Sequence, residues 1–260
     1  MKKFSDVLLE ATEISARQRT DIKSGYSAID YGENGSIFRK GNLIMLASRP
    51  GMGKTTLATQ IAVNAANHGS NILFLSSEYS ACALVKEIVC QKANVSDINI
   101  PLYIDDSSDS VKRIKLRCIE ATPKPSMIVV DYLQLLYRRS LKKEVIYGDG
   151  LVCKTLKELA VDLDVPVLCC SQLTRAPEGR GYPHRPLITD IPRWEEISDY
   201  TDTVLLLYRY GYYDRNGDYP NDAEIRIARD TWRQGNLIML EWDNKRGRFM
   251  QEKETTSWNR

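Results

Sequence analysis

The amino-acid sequence predicts an α/β fold in which helices cover both faces of a mostly parallel sheet. From Asn42 onward, short apolar runs of strand length alternate with segments of helix length. The runs are almost continuously apolar, which is typical of parallel strands buried on both faces. The chain has 260 residues, of which 43% are hydrophobic, so it is long enough for one large domain with a substantial core.

The N-terminal residues are predicted to stand apart from this sheet. Apolar residues recur at helical spacing near the start of the chain: Phe4, Val7, Leu8 and Ala11. This spacing predicts a helix over residues 4–19. A glycine-rich polar segment, Thr20–Lys40, then leads to the first strand. We therefore expect a linker-type helical arm at 1–19, docked on its own domain or on a neighbour, and a single domain at 20–260.

Strands and helices follow in a regular order. The predicted strands are Leu43–Ala47, Ile72–Leu75, Leu102–Ile104, Met127–Val130, Val165–Cys170, Thr203–Leu207, Glu224–Ala228 and Leu237–Trp242. The predicted helices are Thr55–Asn67, Ala81–Lys92, Ser110–Ala121 and Gly150–Leu163. We expect the last two strands to form an antiparallel pair at the edge of the sheet.

Composition excludes several classes of protein. The apolar runs are too short to span a bilayer, and the N-terminus lacks the apolar core of a secretory signal, so we expect a cytoplasmic protein with no membrane partner. Six cysteines without Cys-x-x-Cys spacing favour buried reduced thiols over a disulfide framework or a metal site. The net charge of +2 neither favours nor excludes nucleic-acid binding, because a ring can concentrate basic residues in its channel.

The segment from Ser48 to Thr55 has the pattern of a phosphate-binding loop. It follows a predicted strand and opens a predicted helix, which is the context that this motif requires. Backbone N–H groups can then point at phosphate oxygens. Gly53 permits close approach, Lys54 reaches the β- and γ-phosphates of ATP, and the Thr55 hydroxyl ligates Mg²⁺. Ser48 stands where the general pattern has Gly, and the alternative is a simple glycine turn before a helix.

Three polar residues follow other predicted strands. Asp131 ends an apolar strand, at the edge where a parallel sheet presents ligands, and would hold Mg²⁺ directly or through water. Glu78 follows the second strand, where it can polarise an attacking water or simply stabilise a helix N-terminus. Gln172 follows the strand that ends at Cys170. Taken singly, each of these signals is weak.

Taken together, the motifs resemble those of DnaB-family replicative helicases. Residues 49–56, Arg-Pro-Gly-Met-Gly-Lys-Thr-Thr, are similar to the phosphate-binding loop of that family, and 24–30 resemble the approach to it. Residues 130–136 resemble its Walker B segment, and 171–175 resemble its Ser-Gln-Leu-Asn-Arg segment. The resemblance runs from about Thr20 to Phe249 and implies a RecA-like P-loop NTPase fold.

The resemblance also implies roles for individual residues. Glu78 would polarise the attacking water, Gln172 would contact the γ-phosphate and relay its presence to DNA-binding loops, and Lys54 would act in catalysis. Mg²⁺ would be held by Thr55 and Asp131. The implied nucleotide-binding residues of the loop are Pro50, Gly51, Met52, Gly53, Lys54, Thr55 and Thr56.

Hexameric motors of this family complete each site with basic residues of the adjacent subunit. The corresponding stretch here, 227–235, carries Arg where the family has Lys and holds two extra residues. We expect Arg233 to act as the arginine finger in trans and Arg229 to supply a second basic contact. The alternative is a surface-exposed arginine.

The expected DNA-binding loops depart from the family pattern. Residues 189–196 replace the family's Ser-Asp-Leu-Arg-Glu-Ser-Gly, where Pro192 stiffens the backbone while Arg193 and Trp194 can grip a strand. Three further arginines lie in the preceding loop: Arg175, Arg180 and Arg185. A solvated basic loop is the alternative. The tyrosine-rich stretch 208–213, followed by Asn-Gly, predicts a hairpin bordering the nucleotide base.

The resemblance implies an ATP-dependent DNA helicase motor that translocates on single-stranded DNA during replication. Its partners would be copies of itself, as a homo-hexamer, and a helicase loader or primase. The helical N-terminal domain of full-length family members is absent from this sequence, which suggests a phage or mobile-element variant. Two alternatives stay open, namely a RecA-fold ATPase that binds DNA or protein without unwinding, and a paralogue that regulates a host helicase ring.

Overall fold

The computed structural model describes residues 3–4, 22–31, 35–90, 99–107, 110–136, 148–230 and 237–251. The predicted arm helix at 4–19 lies outside these residues, apart from Phe4, and so does Arg233.

In the described part of the chain, nine strands form one sheet in the order β3-β2-β4-β5-β1-β6-β7-β8-β9. The strands are β1 Leu43–Ser48, β2 Ile72–Ser76, β3 Leu102–Asp105, β4 Met127–Asp131, β5 Val167–Gln172, β6 Thr203–Arg209, β7 Asp222–Asp230, β8 Leu237–Asp243 and β9 Arg248–Gln251. Strands β1 to β6 are parallel, and β7, β8 and β9 continue the sheet in antiparallel pairs. The mostly parallel sheet is therefore confirmed.

Helices cover both faces of this sheet. They are α1 Ser27–Asp30, α2 Lys54–Asn67, α3 Ala81–Cys90, α4 Val111–Glu120, α5 Gly148–Leu163, α6 Trp194–Ile197 and α7 Tyr210–Tyr213, and a helical turn occupies 133–136. Apolar residues of α2 and α3 share one core cluster, and those of α4 and α5 share the other. Successive residues of β1 enter the two clusters alternately, because side chains of a strand point to opposite faces. No described helix has the length and hydrophobicity to cross a bilayer.

The structure corrects three details of the prediction. β7 and β8 do pair antiparallel, but β9 lies outside them, so they are not the edge. β6 and β7 are antiparallel neighbours, yet the tyrosine-rich connection between them contains α7 rather than a simple hairpin turn. Two of the six cysteines, Cys82 and Cys90, are exposed and not buried.

The parallel strands bring their carboxyl ends to one edge of the sheet. The register pairs Ser48 at the end of β1 with Gln172 at the end of β5. It also pairs Ser76 at the end of β2 with Asp131 at the end of β4. The polar residues that follow these strands therefore meet at a single place, as is usual for ligand sites in open α/β sheets.

Candidate functional site

A cavity of about 280 Å³ opens at this edge of the sheet. Eight of the residues expected at a nucleotide site line it: Pro50, Gly51, Gly53, Lys54, Thr55, Thr56, Glu78 and Gln172. The side chain of Met52 is buried, with 1% of its surface exposed, and does not line the cavity. The structure therefore brings most of the expected set together and leaves Met52 only its backbone to offer.

The loop between β1 and α2 depends on two glycines in the left-handed region. Gly51 has φ of +77° and Gly53 has φ of +92°, a conformation that other residues rarely adopt. A Cβ at Gly53 would lie 3.0 Å from the ring of Phe249 and 3.4 Å from Trp242. Gly53 is followed directly by the first residue of α2, so the helix begins at the cavity. Backbone N–H groups at such a helix start attract anions.

A buried carboxylate lies behind the start of α2. Asp131 is fully buried, and its Oδ2 accepts a hydrogen bond from the Thr55 hydroxyl at 2.8 Å. Its Oδ1 has no hydrogen-bond partner among the described residues, although Lys54 Nζ lies 3.8 Å away. A buried carboxylate oxygen without such a partner is costly. The hydroxyl and the carboxylate are oxygen donors of the kind that Mg²⁺ prefers, so this pair fits that ion.

The charges at the site perturb one another. Burial lowers the pKa of Lys54, but nearby negative groups, Asp131 and Glu78 among them, outweigh it and leave the pKa raised. Lys54 therefore stays cationic. Burial raises the pKa of Glu78, and the charges of Asp131 and Glu87 raise it further against the opposing effect of Lys54. A carboxylate with a raised pKa is a better general base near neutral pH.

Local hydrogen bonds shape the bend that carries Glu78. The Ser76 hydroxyl donates to the Tyr79 carbonyl at 2.6 Å and accepts from the Tyr79 N–H at 3.1 Å. The Ser77 N–H donates to the Asp131 carbonyl at 2.6 Å. These bonds fix the chain after β2 against β4, so that Glu78 projects beside the cavity that Lys54 enters.

Several residues of the site carry no sequence signal. The Arg209 guanidinium lies 3.7 Å from the centroid of the Trp242 ring and donates to the Gly51 carbonyl at 3.4 Å. Burial lowers the pKa of Arg209 to about 10. Glu87 accepts a hydrogen bond from the Thr56 hydroxyl at 3.0 Å. These residues come from α3, β6 and β8, and only the fold brings them to the loop.

The residues expected to act in trans or on DNA lie elsewhere. Arg229 on β7 donates to the Ser198 carbonyl at 2.7 Å, and its guanidinium lies 5.7 Å from the Trp194 ring. It does not line the cavity of its own chain. Arg233 is outside the described residues.

Two of the three arginines expected in the basic loop are paired with buried carboxylates. Arg180 forms an ion pair with Asp190. Arg185 Nε donates to Glu224 Oε1 at 2.9 Å. Arg175 is exposed. The loop is therefore held against the domain through its arginines, where a solvated loop or a free DNA-binding loop was expected.

Comparison with known proteins follows the same lines as the geometry. A family model described as the DnaB-like helicase C terminal domain matches residues 21–100 and 96–251. The replicative DNA helicase DnaB of Geobacillus stearothermophilus is 33% identical over 238 residues, covering 81% of this chain and 52% of the relative. The replicative DNA helicase DnaC of Bacillus subtilis (strain 168) is 31% identical with the same coverage. The chain thus spans about half the length of the curated relatives it matches.

Solved structures share the fold. A helicase-type ATPase domain solved on its own superposes with a TM-score of 0.79 at 24% identity, covering 97% of this chain and all of that one (100%). A DnaB-like replicative helicase, studied for its interactions with primase, gives a TM-score of 0.80 at 23% identity over 97% of this chain and 68% of its own. The RadB recombinase gives 0.61 at 16% identity over 89% of this chain and 100% of its own. The RecA-like fold class is therefore confirmed.

Proposed function

The chain belongs to the family of DnaB-like helicase C-terminal domains, and on that premise we propose that it is an ATP-hydrolysing motor that translocates on single-stranded DNA during replication. The observation that carries the proposal is the cluster of Lys54, Thr55 and Asp131 at the carboxyl ends of the strands. There, a buried carboxylate oxygen lacks a hydrogen-bond partner while a lysine stays charged beside it. Such an arrangement is typical of a ligand site and is costly without one.

The phosphates of ATP would lie against the loop and the start of α2. Residues 50–56 would surround them, Lys54 would neutralise their charge, and Thr55 and Asp131 would hold Mg²⁺. The metal ion, when bound, would neutralise charge on the phosphate oxygens. Asp131 has no other counter-charge as close as Lys54 among its described ion pairs.

Glu78 and Gln172 would act on the transferred phosphoryl group. Water attacks the γ-phosphorus, the Glu78 carboxylate accepts its proton, the bond to the β-phosphate oxygen breaks, and ADP and phosphate are the products. Gln172 lines the same cavity at the end of β5 and would donate its amide to the γ-phosphate. The raised pKa of Glu78 supports the role of a base.

The base of the nucleotide would lie beyond Gly51, over Arg209 and Trp242. Their stacked planes adjoin the loop, and both side chains line the cavity. Tyr212 packs on the same glycine, since a Cβ at Gly51 would lie 3.0 Å from its ring. Planar guanidinium and indole groups stack well on a purine, and they are near enough to the loop for one nucleotide to contact both.

The assembled motor would be a homo-hexamer with sites at subunit interfaces. Arg229 and Arg233 would reach the γ-phosphate of the adjacent subunit, which agrees with the absence of Arg229 from its own cavity. Single-stranded DNA would pass through the centre of the ring. A primase or a helicase loader is a further expected partner, and interaction with primase is described for one similar helicase.

The test is the steady-state ATPase rate with and without single-stranded DNA, with the assembly state measured by light scattering and strand separation measured on a forked duplex. The proposal predicts a hexamer whose hydrolysis rises with DNA and which separates the strands. DNA-stimulated hydrolysis without strand separation would identify an ATPase that does not unwind. A protein that stays monomeric, ignores DNA and copurifies with a full-length helicase would be a regulatory paralogue.

A further inference from the structure

The backbone ladder between β4 and β5 ends before the site. These strands pair only from Ile128 with Val167 to Val130 with Cys169. β5 continues to Gln172, whereas the chain beyond Asp131 turns into the helical segment at 133–136. The last residues of β5 therefore have no backbone partner on the β4 side.

The side-chain amide of Gln134 takes the place of that missing partner. Its Oε1 accepts the Gln172 N–H at 3.0 Å. Its Nε2 donates to the Ser171 hydroxyl at 2.8 Å and lies 3.3 Å from the Gln172 carbonyl, to which it also donates. An amide carries both a donor and an acceptor, so it can pair with a strand end as backbone does.

The other side of β5 is held by the strand that leads into the phosphate loop. Ser48 pairs with Gln172 in the parallel register, and the Leu173 N–H donates to the Ser48 carbonyl at 2.9 Å. The backbone of Gln172 is thus fixed between two elements. One carries the phosphate loop, and the other carries Asp131.

We propose that Gln134 is a positioning residue that holds the end of β5 so that the Gln172 side chain faces the reacting phosphate. The inference rests on the proposed function, because it assigns Gln134 a part in the same hydrolysis. Gln134 lies three residues after Asp131, so one short segment sets the position of both the metal ligand and Gln172. Small displacements of such a group lower the rate strongly, by up to about a hundredfold for 1 Å.

Gln134→Met tests this, because methionine keeps the length and volume of the side chain and removes all three hydrogen bonds. We expect kcat to fall about tenfold while KM and the dissociation constant for ATP change by less than about twofold, since the loop that binds the phosphates is intact. Gln134→Glu keeps the acceptor and loses the donor to the Gln172 carbonyl, so its kcat should lie between those of the wild type and Gln134→Met.

A double-mutant cycle separates positioning from an independent effect. If Gln134 acts through Gln172, the Gln134→Met/Gln172→Ala protein should be no slower than Gln172→Ala alone, within about twofold. Multiplicative losses would overturn the inference, as would an unchanged kcat in Gln134→Met. A stability control is Gln60→Met, because the buried Gln60 amide makes the same paired bonds to the Phe249 N–H and carbonyl at 2.9 Å each. It should lower the melting temperature comparably with a smaller fall in kcat.

Hydrogen exchange gives a readout that does not depend on hydrolysis. The Gln172 amide should exchange at least about tenfold faster in Gln134→Met than in the wild type, while core amides of β1 are unchanged. Equal exchange at Gln172 would show that Gln134 does not hold the strand end. A wild-type protein without ATPase activity would instead overturn the proposed function, and the exchange result would then decide the positioning claim alone. Should Gln134→Met not fold, Ser171→Ala removes one of the three bonds and should show the same changes in smaller measure.

Discussion

The edge of the sheet around Asp131 and the long connection between β5 and β6 both contain clustered charges, and they use them differently. In the first region, a buried carboxylate oxygen lacks a hydrogen-bond partner, and the pKa values of Lys54 and Glu78 are raised. In the connection, residues 173–202, arginines meet carboxylates directly, as Arg180 does with Asp190.

The difference teaches how to separate ligand sites from structural charges in this molecule. Charges that are incompletely satisfied inside a cavity are costly unless a ligand completes them. Charges that already have hydrogen-bonded partners hold the chain in place. Arg49 links the two regions, because it starts the phosphate loop and yet donates to the Leu173 carbonyl at 2.8 Å and to Glu178 at 3.0 Å.

The largest effect should come from Lys54→Met. Loss of the charge that faces the phosphates should lower kcat/KM for ATP by about a hundredfold or more, since electrostatic stabilisers of this kind contribute that much. The matched control is Lys157→Met, whose ammonium instead bonds the Gly41 carbonyl and Asp202. That variant should lose stability and keep its kcat. A Lys157→Met protein with the poorer hydrolysis of the two would break the comparison.

A smaller effect, on stability rather than rate, should follow Glu224→Ala. Glu224 is buried and accepts from Arg185 and from the Tyr210 hydroxyl at 2.7 Å. Its removal leaves both without their acceptor, and we expect the free energy of unfolding in urea to fall by about 2–3 kcal/mol. Glu178→Ala, with a more exposed carboxylate, should cost less. A loss below about 0.5 kcal/mol for Glu224→Ala would show that this pair does not anchor the connection.

The pH dependence of hydrolysis should respond to Glu87. Glu78 acts as a base in its ionised form, so the rate falls as the pH drops through its raised pKa. The Glu87 charge contributes to raising that pKa. Glu87→Gln keeps an acceptor for the Thr56 hydroxyl and removes the charge, so the acid limb of the kcat profile should move to lower pH. Glu120→Gln, far from the site on α4, should leave the limb in place. A shift to higher pH would contradict the assignment.

The smallest effect should be on DNA affinity. Arg175 is the exposed arginine of the connection, while Arg180 is paired. If Arg175 contacts a phosphate, Arg175→Ala should lower the salt dependence of single-stranded DNA binding by about one contact. Arg180→Ala should alter stability more than that slope. Equal slopes for the wild type and Arg175→Ala would remove Arg175 from the DNA path.

Much of the fold follows from the sequence, because apolar strands and amphipathic helices carry local signals. β9 was missed since it is four residues long and buries only Phe249 fully. The helix α7 was missed because Asn216-Gly217 favours a hairpin turn, whereas the tyrosines at 210–213 pack into a turn of helix beside the loop.

The site was predicted only as far as its motifs are contiguous. Lys54 and Thr55 belong to one segment, and the ends of strands can be placed by topology. Gln134 and Gln172 are 38 residues apart, as Arg185 and Glu224 are 39 apart. Such pairs depend on the register of the finished sheet, so neither the amide that holds β5 nor the partners of the basic loop could be found from local pattern.

The most direct test of the central claim is Glu78→Gln. Its kcat for ATP should fall by about 10²- to 10⁴-fold, because the amide cannot accept the proton of the attacking water. Calorimetric binding of ATP with Mg²⁺ should stay within about threefold of the wild type, because the loop and the metal ligands are untouched. That pairing of intact binding and lost turnover is the result the account predicts. Wild-type turnover by Glu78→Gln would contradict it and move the base to another residue.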